Sequence, residues 1–73
     1  MKMPNISGVP SLRTARHEWL LLGGYVEDIW RTGEERYTHP AFDRPITVNK
    51  RRRDASKKLL SALRRLVDMR HAA

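Results

Sequence analysis

Eight basic side chains near the C-terminal end are the strongest chemical signal in this sequence. They form a run followed by two pairs, namely Lys50, Arg51, Arg52, Arg53, Lys57, Lys58, Arg64 and Arg65. Guanidinium and ammonium groups bind phosphate and carboxylate oxygens. Residues 49–73 carry nine basic against two acidic side chains, which accounts for the whole net charge of +7. Because a solvated helix face usually mixes both signs, this pattern predicts a surface that binds nucleic acid or an acidic partner.

Residues that could carry catalysis or hold a metal are scattered. Glu34 and Glu35 are adjacent, so on a strand they would point to opposite faces and could not flank one bond. We expect both to be exposed near a turn, paired with Arg31 or Arg36. The chain has no cysteine, and its three histidines lack the spacing of metal ligands: His17, His39 and His71. We therefore predict a protein that is not an enzyme and needs no metal or cofactor.

The length of the chain limits its function further. A chain of 73 residues forms one small domain, with no room for a deep substrate cavity beside a core. We therefore expect no small-molecule substrate. The sequence also has no apolar stretch long enough to span a membrane and no secretory signal core at residues 1–10. We expect a cytoplasmic protein that makes no membrane contact.

Two amphipathic helices are expected to frame the domain. Ser11 is a good N-cap, and the apolar residues after it recur at helical spacing until Gly23 and Gly24 end the helix, which predicts a helix over 12–22. A second helix should begin after Asp54 or Ser56 and end near residue 69 or 70. Its apolar residues fall in one arc and most of the basic ones in the opposite arc.

Three short strands are expected between these helices. Residues 25–31 and 34–39 are rich in aromatic and β-branched residues, and Thr32 with Gly33 can form a tight turn between them. Residues 46–48 make a third strand after Pro45. The predicted fold is α+β, in the order α-β-β-β-α, with both helices on one face of a three-stranded antiparallel sheet. Residues 1–10 should form a flexible tail, 11–70 one compact domain, and 71–73 a frayed end.

Aromatic residues divide between the core and candidate contacts. A small domain needs its largest side chains inside, which places Trp19 and Tyr37 in the core. Trp30 and Phe42 each lie beside a turn, where core and surface positions are both open to them. Loops and strand edges commonly carry docking sites, so Trp30, Arg31 and Phe42 are the candidates for contact with another protein.

The middle and end of the chain resemble the HicA-type small RNA-cleaving toxins, which have a double-stranded-RNA-binding-like fold. The resemblance rests on a glycine-containing hairpin, the segment Tyr37-Thr38-His39-Pro40, the strand Ile46-Thr47-Val48, a basic link and a helix with Leu60 and Leu63. It implies this fold and affinity for RNA. That family carries its catalytic histidine just after the hairpin glycine, where this chain has Glu34 and Glu35. A divergent mRNA-cleaving toxin and an RNA-binding domain therefore stay open as alternatives.

Over its whole length the chain also resembles small regulators of transcription encoded by lytic Xanthomonas phages. This resemblance implies a protein that binds host RNA polymerase, inhibits initiation and promotes antitermination near the RNA exit channel. Its partners would be the polymerase and nascent RNA, in the cytoplasm of the host. A stand-alone nucleic-acid-binding protein is the third alternative, and it follows from the basic residues alone.

Overall fold

The structure is a computed structural model that describes residues 10–72, and its elements follow the expected order. They are α1 (Leu12–Leu21), β1 (Tyr25–Ile29), β2 (Glu34–Thr38), β3 (Ile46–Asn49) and α2 (Lys57–Ala72). The α+β prediction is confirmed. The tail expected at residues 1–10 lies outside the described residues except for Pro10, whose carbonyl accepts the Ala55 N–H at 3.1 Å.

Local side-chain chemistry sets where both helices begin. The Ser11 hydroxyl accepts the Thr14 N–H at 3.1 Å, and its extended backbone is that of an N-cap. Ser56, one of the two expected caps, plays the same part for α2 by accepting the Leu59 N–H at 3.2 Å. Gly23 follows α1 with φ of 92°, a conformation that costs glycine little. α2 continues to Ala72, two residues past the expected end of the compact domain.

The sheet is antiparallel in the order β1-β2-β3, and its hairpin turn is longer than the two residues expected. Ile29 pairs with Glu34, which leaves a four-residue loop from Trp30 to Gly33. The N–H groups of Thr32 and Gly33 both donate to the Ile29 carbonyl, at 3.1 and 3.0 Å. Trp30 and Arg31, expected in the first strand, therefore lie in the loop. Because this register differs from the expected one by two residues, the side chains that remain in the two strands keep their predicted faces.

Both helices pack on the same face of the sheet and form one core with it. Trp19 and Tyr37 are fully buried, as predicted, among apolar residues of both helices. The Trp19 indole N–H donates to the carbonyls of Tyr25 and Thr38, at 3.1 and 3.0 Å, and so fastens α1 to one end of the hairpin. A Cβ on Gly24 would overlap the Trp19 ring, so this position has room only for glycine.

A buried carboxylate lies on the helix-facing side of the sheet, and it corrects one expectation. Glu35 is 7% exposed instead of exposed at a turn, and its Oε1 accepts from Arg16 Nη2 and from the Tyr37 hydroxyl, both at 3.0 Å. Glu34 accepts a hydrogen bond from the Thr32 hydroxyl. Arg36, which was expected to pair with one of these two glutamates, forms an ion pair with Glu27 instead. Burial raises the pKa of the Tyr37 phenol to about 12, although the neighbouring Arg16 guanidinium opposes the shift.

Candidate functional site

The eight basic residues singled out in the sequence are all exposed, and the fold divides them between two surfaces. The link from Lys50 to Arg53 follows β3, whereas the other four lie on α2. Lys50 is ion-paired, with its Nζ 3.0 Å from Asp28 Oδ1. The other seven have no ion-pair partner among residues 10–72. Seven of the eight predicted basic residues are therefore exposed without an ion-pair partner in the described part of the chain.

The first surface is the link together with the hairpin loop at the same end of the sheet. The Lys50 N–H donates to the Gly33 carbonyl at 3.1 Å, which holds the link beside the loop. Trp30 is 79% exposed and Arg31 is exposed as well, so both are available for contact. We call residues 30–33 and 50–53 the tip surface. It combines an exposed indole with a group of arginines, as many nucleic-acid-binding surfaces do.

The link is ordered by its own hydrogen bonds and by contacts with α1. The Asn49 side-chain oxygen accepts the Arg51 N–H at 2.9 Å, and Arg52 Nε donates to the Asp54 carbonyl at 3.2 Å. The Leu12 N–H donates to the Arg53 carbonyl at 2.8 Å. The arginine backbones therefore belong to the domain, while their side chains are exposed and Arg52 alone among the three uses its guanidinium in a hydrogen bond within residues 10–72.

The second surface is an open groove of about 520 Å³ between α2 and the connection from β2 to β3. Four cations line it, Arg44, Lys57, Lys58 and Arg65, with Asp43 as the acidic residue among the lining side chains. Its apolar lining comes from Phe42, Ile46 and Ala62. We call this the α2 groove. Arg64 points to a neighbouring hollow that it shares with Lys57, Leu60 and Ser61.

Phe42 belongs to this groove and not to the tip surface. The connection that carries it joins Thr38 to Ile46, at the end of the sheet opposite the hairpin loop. Its ring stacks on Trp19 with centroids 6.1 Å apart, and the Arg65 guanidinium carbon lies 5.4 Å from the ring centre. The structure therefore separates Phe42 from the other two predicted protein contacts, and it brings Trp30 and Arg31 next to the basic link.

Sequence reasoning missed two features of the surface. Arg44 is an isolated cation in a loop, and only the packing of that loop against α2 brings it to the groove. Leu20 and Met69, at 50% and 43% exposed, lie on the outside of the helices, as does Leu21. Leu21 and Met69 line a further hollow with His39 and Arg70.

His39 is held in a structural role. Its Nδ1 accepts the Ala41 N–H at 2.9 Å, so its Nε2 carries the proton and donates to the Leu22 carbonyl at 2.8 Å. Neither ring nitrogen is left for a metal or a substrate. Within residues 10–72, no three side chains of the metal-binding types lie together.

The helices of the described region are too short or too polar to cross a membrane. Comparisons with protein-family models, with curated proteins and with solved structures found no match to this chain.

Proposed function

We propose that this protein is a phage-encoded, non-enzymatic regulator of transcription that binds host RNA polymerase, inhibits initiation and promotes antitermination near the RNA exit channel. The whole-chain resemblance described above supports the identity of the partner. The observation that carries the mechanism is the set of seven exposed cations without ion-pair partners, on the link and on α2 of one small domain. Such a protein can act by occupying a site and needs no catalytic group.

The two surfaces suit a place where nucleic acid and protein meet. An RNA exit channel is such a place, because the transcript and the polymerase surface meet there. The tip surface offers arginines and an exposed indole, whereas the α2 groove offers cations around an apolar lining. A domain that makes contact at both ends can bridge two components of the polymerase and so compete with other factors for that position.

An RNA-binding domain of the HicA-like kind is the second candidate, and Trp30 favours it. An exposed indole beside arginines can stack on a base while the guanidinium groups contact phosphates. Under this proposal the protein would bind free RNA with comparable strength in the presence and absence of polymerase.

Co-purification from host lysate distinguishes the two candidates. The tagged protein should bring down polymerase subunits from nuclease-treated lysate. Purified protein should then reduce initiation by polymerase holoenzyme and increase readthrough at an intrinsic terminator in vitro. From lysate without added nuclease, retention of RNA without polymerase would contradict the first proposal and support the second. Fragmentation of purified RNA incubated with the protein would indicate a toxin.

Variants test the part played by each surface. Replacing Arg51 and Arg52 with glutamate reverses two charges at the tip surface, and replacing Lys57 and Lys58 does the same at the α2 groove. Because the two double variants carry the same net charge, a difference between them reports on location. If neither double variant lowers polymerase capture, the cationic surfaces have no part in binding.

A further inference from the structure

We propose that the α2 groove binds an acidic peptide segment of a partner protein, which inserts one apolar side chain between α2 and the connection from β2 to β3. The inference concerns the groove alone and does not depend on whether the partner is RNA polymerase. Three observations support it: the charges around the groove, its apolar lining, and the contacts that already surround the Phe42 ring.

The charges of the groove fit a negatively charged ligand. Arg44, Lys57, Lys58 and Arg65 line it, and none of them has an ion-pair partner among residues 10–72. The Arg65 side chain is also held beside the groove, because its guanidinium lies over the Phe42 ring. Exposed charges of this kind speed association and determine which partners bind, more than they add to affinity.

The lining of the groove offers an apolar surface that can bind one apolar side chain of the ligand. Ile46 and Phe42 are half-buried against the core, and the buried Ala62 lines the groove from α2. The volume of about 520 Å³ is ample for one apolar side chain with its flanking backbone. A ligand with a single leucine or phenylalanine among acidic residues would match both the apolar lining and the cations around it.

The Phe42 ring argues against RNA as the occupant. Proteins bind single-stranded RNA largely by stacking bases on free aromatic faces. Phe42 is the one aromatic residue that lines the groove, and Trp19, His39 and Arg65 already surround its ring. A base entering the groove would find phosphate-binding cations without a stacking surface. The exposed indole lies at the other end of the sheet, on the tip surface.

The occupant must also come from a different protein. Residues 1–9 of this chain include Lys2 and no acidic residue, so they do not offer the required charge. A second copy carries the same net charge of +7, and electrostatic repulsion opposes its approach.

Fluorescence anisotropy with defined probes tests the proposal on the full chain. The probes are a fluorescein-labelled peptide with one leucine among glutamates, the same peptide with serine for that leucine, and an oligouridine. The leucine peptide should bind more tightly than the serine peptide. Lys57→Glu with Lys58→Glu should weaken leucine-peptide binding about tenfold or more, since two attractive contacts become repulsive. Arg51→Glu with Arg52→Glu, which makes the same change in net charge away from the groove, should weaken it less than about threefold.

Four results would overturn the proposal. Equal weakening by the two double variants would show attraction by net charge and no binding site. Equal affinity for the two peptides would show that no apolar side chain enters the groove. Binding of oligouridine that depends on Lys57 and Lys58 more than peptide binding does would assign the groove to RNA. Self-association that the same pair of substitutions abolishes in sedimentation velocity would assign it to a second copy.

Arg44→Glu provides a test that does not touch α2. Arg44 is exposed on a loop, so its replacement should leave the circular dichroism spectrum unchanged. It should weaken binding of the leucine peptide and spare oligouridine binding at the tip surface. Unchanged peptide binding by folded Arg44→Glu protein would contradict the proposed site.

Discussion

Removal of the Tyr37 hydroxyl should destabilise this domain although it removes a single oxygen atom. The hydroxyl donates at 3.0 Å to Glu35, a carboxylate that is 7% exposed and otherwise accepts from Arg16. In Tyr37→Phe, Glu35 loses one of the three hydrogen bonds that it accepts, and its burial leaves little room for a water molecule in place of the hydroxyl. A hydrogen bond to a charged group contributes about 1.5–3 kcal/mol to the free energy of unfolding. A loss near 2 kcal/mol would lower the melting temperature by about 8–16 °C in a domain of this size.

The chain provides its own control for this substitution. Tyr25 is 68% exposed and its hydroxyl makes no hydrogen bond within residues 10–72, so Tyr25→Phe should change the free energy of unfolding by less than about 0.5 kcal/mol. Urea titration followed by circular dichroism at neutral pH measures both variants. If Tyr37→Phe were as stable as Tyr25→Phe, the buried carboxylate would not depend on the tyrosine. The account of Arg16, Glu35 and Tyr37 as one network would then be wrong.

Three other perturbations have definite expected results. Because the pKa of Tyr37 is raised to about 12, the unfolded chain releases this proton first, near pH 10, so stability should fall as pH rises from about 10 to 12. The fall should be smaller in Tyr37→Phe, and equal alkaline curves from urea titrations would contradict the assignment. Gly24→Ala should cost about 1–3 kcal/mol because its Cβ overlaps the Trp19 indole, measured as a lower urea midpoint. Replacing arginines 51–53 with glutamate should weaken partner capture yet keep the melting temperature within a few degrees, since the three side chains are exposed and contribute one exposed hydrogen bond, from Arg52 Nε to the Asp54 carbonyl. Loss of the native circular dichroism spectrum would show that they are structural.

Local interactions made much of the fold predictable. The Ser11 cap and the glycines after α1 act within a few residues, and the apolar arc of α2 repeats with the period of the helix. Burial of Trp19 and Tyr37 followed from the need of a small domain to place its largest side chains inside. The faces of the strands were also predictable, because a register change of two residues leaves them unaltered.

The turn and the buried carboxylate could not be predicted in the same way. A tight turn at Thr32 and Gly33 and a four-residue loop place the same side chains on the same faces, so the period of the strands does not distinguish them. The environment of Glu35 depends on Arg16, which is 19 positions earlier in the chain and reaches the sheet only when α1 packs on it.

Two properties follow from the order of the residues alone: a surplus of positive charge near the C-terminal end, and an amphipathic helix that presents part of it. Charge and helical period are properties of consecutive residues, so no packing is needed to read them. The distribution of that charge over the surface depends on tertiary contacts. The antiparallel order of the strands brings the link beside the hairpin loop, and the packing of a loop on α2 adds Arg44 and Phe42 to a groove. These contacts join residues distant in the chain, and they turn one basic segment into two surfaces with different surroundings.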